Sequence, residues 1–490
     1  MLPVHADVVV VGGGSCGSVD AARHSDDPDR TVLLLESGPG YRSIPATPSA
    51  LRDAAVLPVG PGSDWVQQYP ASLTAGVATT IARGRVLGGS GAVNGAYFVR
   101  ARPDDFARWP SSWSFERVLP HFRAVETDLD FADEWHGRAG PIPVSRTPWD
   151  SLHPVARAFH EAAVAAGHAV VDDLNAPGSD GVGRVPMNVR DGVRYGPALA
   201  CLLPVLHRPN LTVRTGVRVR AVALSSGRAV GVEVHDGTDI RTITAGRVVL
   251  CAGAVCSPQL LMLSGIGPAD ELRRSGIAVE HEAPGVGRGF TDHPEVAIRY
   301  RYRRDVPRRA PLLQTVLHTG EIEYRPYTVP FGAAIPGSGV ADPVLGVVAI
   351  RPHSRGDIRL DPTDPAAPPI LDYRYLIDIG DCDVLRRGVR DAAGLLTGMS
   401  HVVDRHSLDP ETRDPSDAWL ARHLGTSLHL SGTCRMGPGD DAVVDELCRV
   451  RGVEGLSVVD TSVFPEVPSR GPHATAVMLA HRIAGGAPAA

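Results

Sequence analysis

The sequence predicts a mixed α/β (α+β) fold: a Rossmann-like nucleotide-binding domain with a second, sheet-containing domain inserted into it. Three observations predict this. The chain opens with VVVVGGGSCG and, one helix length later, VLLLESGPG, so that strand, glycine turn, helix and strand follow in succession. Residues 210–264 carry several short β-rich runs and end in a third wholly apolar run at 248–251. Between about 291 and 415 the pattern changes to strand-like alternation and then a long helical stretch. At 490 residues the chain is too long for one simple core, and two interleaved domains are expected.

Residues 8–11 read as a buried parallel strand, 16–24 as the following helix and 32–35 as the next strand. Gly12, Gly14 and Gly17 hold the G-x-G-x-x-G spacing, which permits the turn, the approach of a pyrophosphate and close helix packing. Ser15 and Cys16 open the helix, whose free N–H groups and positive dipole end suit phosphates. Glu36 lies about 20 residues on, where an acid hydrogen-bonds an adenosine ribose. An acid there disfavours a 2′-phosphate, leaving FAD or NAD over NADP. Residues 37–80, rich in Pro, Gly and Ser, read as extended loop; 115–129 read as a helix interrupted near Pro120, and 154–166 as a helix with Pro at its start.

The next section decides the nucleotide. Residues 211–213 and 218–222 read as strands, 230–235 and 241–244 as an antiparallel pair turning at Asp236-Gly237, and 248–251 as a further, parallel strand. An antiparallel meander among parallel strands differs from the strand–helix alternation of NAD domains and matches FAD domains of the glutathione-reductase type. FAD is therefore the expected cofactor. Val296, Ile298, Tyr300 and Tyr302 alternate with arginines as a half-buried strand, 344–350 and 357–360 read as strands, and 381–399 as a long helix. The expected organisation is an FAD-binding domain over 1–290, with excursions towards the substrate domain at about 40–80 and 125–190, a substrate domain over 291–415, and a return to the FAD domain over 416–490.

Composition excludes several classes. A formal charge of −6 argues against a nucleic-acid partner. The chain contains no lysine, which excludes lysine Schiff-base chemistry. Seven cysteines without a C-x-x-C suit a reduced, cytoplasmic protein with no metal site. No signal peptide is visible, and no apolar stretch reaches the roughly 18 residues of a transmembrane segment. The arginines from Arg299 to Arg309 read as a solvated strand edge, with an acidic partner or the inner membrane face as the alternative.

Four further segments carry candidate chemistry. GRVLGGSGAVNGAYF (84–98) sets Arg85, Gly88, Gly89, Ser90 and Gly95 around Asn94, a backbone suited to lie against a flat ring or phosphates. GAVCSPQLLMLSGIG (253–267) follows Ala252 and reads as a short helix starting at Ser257-Pro258. HLSGTCRMG begins at His429, and VVDTSVFP…RGPHATAVMLAHRIA holds Asp460, Pro472, His473 and Ala474. Both histidines lie at loop-to-element junctions, and Val217 and Ala252 complete the candidate cofactor contacts.

Together these segments, with RPHSRGDIRLDP (351–362), resemble the glucose–methanol–choline (GMC) oxidoreductase family nearly end to end. The resemblance implies FAD chemistry on alcohols. It aligns His429 with the family's catalytic histidine, His473 with a position held by His or Asn, and Asp460 with an FAD-contacting acid. Some members attach FAD through a histidine before the asparagine of the first signature; Val93 stands there, so FAD is expected to be non-covalent. Cys16 replaces the usual alanine, and Leu430-Ser431 stands where Pro-Val or Gly-Val is usual. NGAYFVR, HFRAVETDLDF and WHGRAGPIPVSR resemble the mycofactocin-system GMC dehydrogenases of actinobacteria, which implies reduced mycofactocin as the alcohol and electron transfer towards respiration. Hydride transfer to flavin N5 requires a base for the hydroxyl proton, and a histidine suits it. His429 is assigned as base and His473 as its partner, with the swapped roles open. An oxygen-using choline-like or sugar alcohol oxidase, and a lyase with structural flavin, are the alternatives.

Overall fold

Runs with no polar face are buried on both sides, and the sheet's central strands follow that rule. The structure, a computed structural model, describes residues 2–178, 180–237 and 239–486. His5–Val11 pairs in parallel with Val32–Glu36 on one side and with Ile240–Leu250 on the other. Leu211–Thr215 extends this sheet beside Val32–Glu36, and Leu456–Val458 pairs in parallel with the end of Ile240–Leu250. Arg218–Ser225 and Arg228–His235 form the expected antiparallel meander. The two strands read separately at 241–244 and 248–251 are one. Ile240–Leu250 pairs antiparallel through its first half and parallel through its second, changing partner without breaking.

The second sheet has six strands in the order Leu424–Thr426, Pro294–Arg299, Val344–Ala349, Ile322–Pro326, Thr315–His318, Gly181–Arg184, and every pairing is antiparallel. The pleat sorts its side chains by parity. Val296, Ile298, Leu317, Ile322, Tyr324, Leu345 and Val347 pack on the helices Pro154–Ala165 and Ile379–Gly398. The alternate residues Glu295, Glu323, Arg325 and His318 share the opposite face.

Three local expectations are corrected. Residues 37–80 are not all loop: Val66–Thr74 and Val77–Gly84 form an antiparallel pair in a third, four-stranded sheet. Helix Phe115–Val125 runs straight through Pro120, because burial of Phe115, Val118, Phe122 and Val125 on one face outweighs the lost hydrogen bond. The helix after Leu250 starts at Gly253, not at Ser257-Pro258, and Pro258 sits inside it.

A buried ionic knot holds residues 100–173 together. His136 Nε2 lies 2.8 Å from Asp173, and its Nδ1 lies 3.1 Å from Asp128 and 3.3 Å from Glu126. Arg146 pairs with Asp128 and Asp173, Arg100 pairs with Glu126, and Phe131 stacks on the imidazole. Burial opposes charge on His136, but hydrogen bonds to Asp128, Asp173 and Glu126 push it up to about 11. Burial likewise works to raise Asp128, but His136 and Arg146 hold it at about 2. The knot's contribution is present above the unfolded carboxylate pKa and lost as pH falls through about 2; on the basic side it is full below the unfolded histidine pKa and lost as pH rises through about 11. His136→Gln leaves buried carboxylates uncompensated and is expected to cost about 3–5 kcal/mol. Urea unfolding across pH checks this: the gap to wild type is expected to be widest between about pH 4 and 6.5 and to narrow towards either extreme.

Candidate active site

Helices Ser15–His24 and Gly253–Leu263 begin just past strand ends at the C-terminal edge of the parallel sheet, and His473–Ala484 packs beside the first of them. Gly12 takes φ +101°, and a Cβ there would lie 2.5 Å from the Cys251 carbonyl oxygen. The second glycine loop closes on the first: Gly88 N–H donates to the Gly13 carbonyl at 2.7 Å, and only 3.8 Å separates a Cβ on Gly14 from Gly89 Cα. Glu36 organises the same turn. Its carboxylate accepts the Gly13 N–H at 2.8 Å and the Gly38 N–H at 2.7 Å, while burial raises its pKa against those bonds. Val217 is buried behind it, its N–H donating to the Glu36 carbonyl. Arg85 is exposed beside Glu36, and the Ser90 hydroxyl accepts the Gly84 N–H. The Cys16 thiol points away from the cradle and donates to the Ala476 carbonyl.

Asp460 is occupied within the protein. Its carboxylate accepts from Gly253 N–H, the Ser257 hydroxyl and Ser462 N–H at 2.9, 2.6 and 2.8 Å, clasping the strand end to the helix that Ala252 caps. Open space borders other cradle glycines: a Cβ on Gly95 or Gly253 meets nothing within 4 Å. Facing glycine turns, open backbone and helix N-termini fit FAD: residues 12–16 would hold its pyrophosphate and residues 89–95 would lie against its ring.

The two histidines arrive by different routes. His473 starts the last helix, after the buried Pro472 and before the buried Ala474. Its Nδ1 lies 3.1 Å from Asn94 Nδ2, and its buried Nε2 has no hydrogen-bond partner among the described residues. Asn94 Oδ1 accepts the Ala96 N–H at 2.9 Å, so the amide must present its NH₂ to His473. Nδ1 of His473 is therefore the acceptor, and in the neutral ring the proton sits on Nε2. Arg194, buried, donates to the Asn94 carbonyl and fixes this loop. Burial and Arg194 push His473 down to about 4.

His429 is carried by an antiparallel seam. Pro294 and Glu295 pair with Thr426 and Gly425, and Thr291 pairs with Ser431 two positions out of that register. Leu428 absorbs the shift with φ +63°, a conformation costing of order 1–3 kcal/mol in a non-glycine residue. Arg83 holds it by donating to the Leu428 carbonyl at 2.5 Å. The shift sets His429 opposite His293, their Nδ1 atoms 2.9 Å apart, and Asp292 Oδ1 accepts both backbone N–H groups at 2.7 Å. Burial, then His293 and Arg325, hold His429 well below the usual histidine range. Gly471 marks the meeting point: a Cβ there would lie 3.5 Å from His429 Nε2 and 2.9 Å from the Tyr97 ring. Gly91 marks another, where a Cβ would crowd Ser15 and His473 Nε2.

The polar face of the six-stranded sheet forms a wall behind Tyr97. Tyr97 donates to Glu323 at 2.8 Å, His318 lies 2.6 Å from the same carboxylate, and Arg325 bridges Glu323 at 2.5 Å and Glu295 at 3.2 Å. Burial works to raise Glu323, but Arg325 and His318 hold it well below the carboxylate range.

His293, Asp292, Arg83 and Gly471 are absent from the sequence reading. His293 met the criterion that selected the other two histidines, a junction between loop and element, but sat at the assumed domain boundary. The family profiles described as GMC oxidoreductase match residues 6–295 and 352–480. A GMC-type oxidoreductase of Rhodococcus erythropolis, from the thcA 5′ region, is 50% identical over 98% of this chain and 97% of its own. The oxygen-dependent choline dehydrogenase of Photobacterium profundum is 32% identical over 98% and 92%. The crystal structure of pyridoxine 4-oxidase from Mesorbium loti superposes with a TM-score of 0.90 at 32% identity, covering 98% of both chains.

Glu36→Arg is expected to weaken FAD binding by about 1.5–3 kcal/mol, roughly 10–150-fold, because it removes the acceptor of the Gly13 and Gly38 N–H groups and the acid that would meet the ribose. Titration of the flavin-free variant with FAD, followed by fluorescence quenching, measures the loss.

Proposed function

The chain belongs to the GMC oxidoreductase family, and from that premise we propose that it oxidises an alcohol with His429 as base and His473 as the donor that holds the substrate oxygen. The family makes it an FAD-dependent oxidoreductase acting on CH–OH groups. FAD, which the glycine turns at residues 12–16 and 89–95 would hold, would supply the acceptor for the hydride of the carbinol carbon. The chain's own residues handle the oxygen and its proton.

One observation carries the assignment of roles. Asn94, oriented by Ala96, leaves His473 with a proton on Nε2, the nitrogen that has no hydrogen-bond partner among the described residues. That N–H can stabilise developing negative charge on oxygen but cannot take a proton in the neutral ring. Removal of the proton falls to His429 Nε2, beside Gly471 and the Tyr97 ring. Both rings are neutral near pH 7 because burial lowers both, so base and donor are ready together.

The proposed substrate is reduced mycofactocin, with electrons passed towards the respiratory chain at the inner face of the membrane. It rests on the resemblance of NGAYFVR, HFRAVETDLDF and WHGRAGPIPVSR to that subgroup, together with a 50% identical Rhodococcus relative. The wall supports an uncharged alcohol over a quaternary ammonium: two arginines match its two carboxylates, Arg325 bridging Glu323 and Glu295 and Arg470 acting on Glu323. Anaerobic mixing with reduced mycofactocin, choline, pyridoxine and simple primary alcohols tests this. Bleaching fastest with reduced mycofactocin is expected; failure of every alcohol to bleach the flavin would point to the lyase reading, and peroxide release in air to the oxidase.

Val93 is buried and carries no nucleophile, so FAD is expected to leave with the supernatant after acid precipitation; flavin retained in the pellet would contradict this. His429→Ala is expected to slow flavin reduction by about 10²–10⁴-fold with FAD still bound, and His473→Asn to be milder, since asparagine still donates to the oxygen. A base must be unprotonated, and a lowered pKa keeps it so in weak acid. The reduction rate is therefore expected to stay level from pH 8 to below pH 6.5 and to fall only further into acid, through an apparent pKa of the coupled site that the alanine variant loses. Rapid-mixing reduction across pH measures all three proteins.

A further inference from the structure

We propose that the protein seats itself on an anionic lipid bilayer through the arginines between residues 299 and 309 and two uncharged loops beside them. The docking rests on the electron transfer towards the respiratory chain proposed above and gives that transfer a surface. Arg299, Arg301 and Arg303 alternate with Tyr300 and Tyr302, whose rings pack inward on the core of the six-stranded sheet. With the rings inward, the three guanidinium groups face solvent. Arg304, Arg308 and Arg309 are exposed in the loop that follows. Among the described residues, only Arg309 of the six makes an ion pair, with Asp53. Asp53, Asp305, Asp342 and Asp404 accompany the arginines and are outnumbered by them.

Residues 54–63 and 327–341 contain no charged side chain. The two segments lie against each other: Leu57 N–H donates to the Ala334 carbonyl at 2.8 Å, and a Cβ on Gly60 would lie 1.9 Å from the Pro336 carbonyl oxygen. Pro61, Gly62, Ala333 and Pro336 are exposed, and Leu57, Val59, Phe331, Ile335 and Val340 are half-buried. The arginine run borders this pair through Tyr302, whose hydroxyl donates to the Thr328 carbonyl at 3.3 Å, and through Arg309, whose partner Asp53 immediately precedes the first loop.

This combination fits a bilayer better than an acidic protein. Phosphate headgroups match unpaired guanidinium groups, and uncharged loops can enter the headgroup boundary, whereas a partner rich in carboxylates leaves such loops unmatched. The chain as a whole carries a charge of −6, so an anionic surface disfavours approach by the rest of the molecule and admits this face. A cleft of about 470 Å³ opens where Arg309 and Ala310 meet Asp53 and Ala54. Val193 lines it, and the next residue, Arg194, donates to the Asn94 carbonyl beside the proposed ring site. The docked orientation turns this cleft, and the flavin side behind it, to the bilayer.

Sedimentation of the holoenzyme with phosphatidylcholine vesicles, with and without phosphatidylglycerol, tests the docking. The protein is expected to pellet with the anionic vesicles only, and to be released as salt rises from about 0.05 to 0.5 M. Arg301→Gln, Arg304→Gln and Arg308→Gln combined are expected to weaken partitioning by about 10²-fold, about fivefold for each arginine. Ala333→Asp with Pro336→Asp is expected to weaken it by about 10-fold. All five positions are exposed, and both variants are expected to bleach their flavin with alcohol in solution as wild type does. Wild type that stays in the supernatant, or undiminished pelleting of either variant, would overturn the proposal. Capture on immobilised polyglutamate without pelleting would overturn it in favour of an acidic protein partner. Pelleting needs no alcohol, so an enzyme that pellets but bleaches with no alcohol leaves the docking standing and counts against the oxidation. The reverse result, bleaching without pelleting, overturns the docking alone.

Discussion

The site depends on the antiparallel seam between residues 291–296 and 424–431. It begins as an ordinary edge pairing of the six-stranded sheet and continues past the end of that sheet. Beyond Ser431 the chain turns to residues 461–463, with Gly432, Cys434 and Met436 donating to Thr461, Ser462 and Val463. That segment follows Leu456–Val458, which pairs with the central strand of the parallel sheet. One path of backbone hydrogen bonds thus ties the polar wall to the cofactor cradle, and His429 sits midway along it. Its position is set by peptide groups, which vary far less than side-chain rotamers. The two-residue shift at Leu428 is the strained point of the path, and Arg83 and Asp292 restrain it on either side.

The electrostatic character of the site follows from burial. The two acids of the wall, Glu323 and Glu295, are matched by two arginines, Arg325 between them and Arg470 near Glu323, so their charges balance within the protein. His429, His473 and His293 are all depressed by burial and by nearby arginines. In a low-dielectric site an imidazolium formed during reaction is costly unless its charge is spread or discharged. His293, whose Nδ1 lies 2.9 Å from His429 Nδ1, is placed to share that charge.

Much of the cradle was legible in sequence because it is local. The glycine spacing, the two apolar strands and Glu36 lie within some thirty residues, and their chemistry follows from backbone geometry. Ile240–Leu250 was split in two because its partners change midway, and periodicity reports the change of partner as a break. Pro120 was overweighted: propensity is a local term, and four buried side chains on one face outweigh it. The hairpin at 66–84 was hidden by turn residues around it, and its sheet is completed by strands from 370–372 and 357–359. His293 was missed for a related reason. Its meaning lies in a cross-strand partner 136 residues away, a distance no sequence window spans.

The roles of the histidines were the one part of the chemistry that residue identity could not reach, and the structure shows why. His429 and His473 are the same side chain, both half-buried, and both are held by a contact at Nδ1. They differ in what that contact does. Asn94 can only donate once Ala96 has claimed its carbonyl oxygen, so His473 is obliged to carry its proton on the opposite nitrogen. His429 meets His293, an imidazole that can accept as well as donate, so His429 is free to turn a bare nitrogen to the same space. One imidazole becomes a donor and its neighbour an acceptor through hydrogen bonds made on their far sides. The division of labour proposed for alcohol oxidation would therefore be set on the far sides of the two rings, by Asn94 and His293.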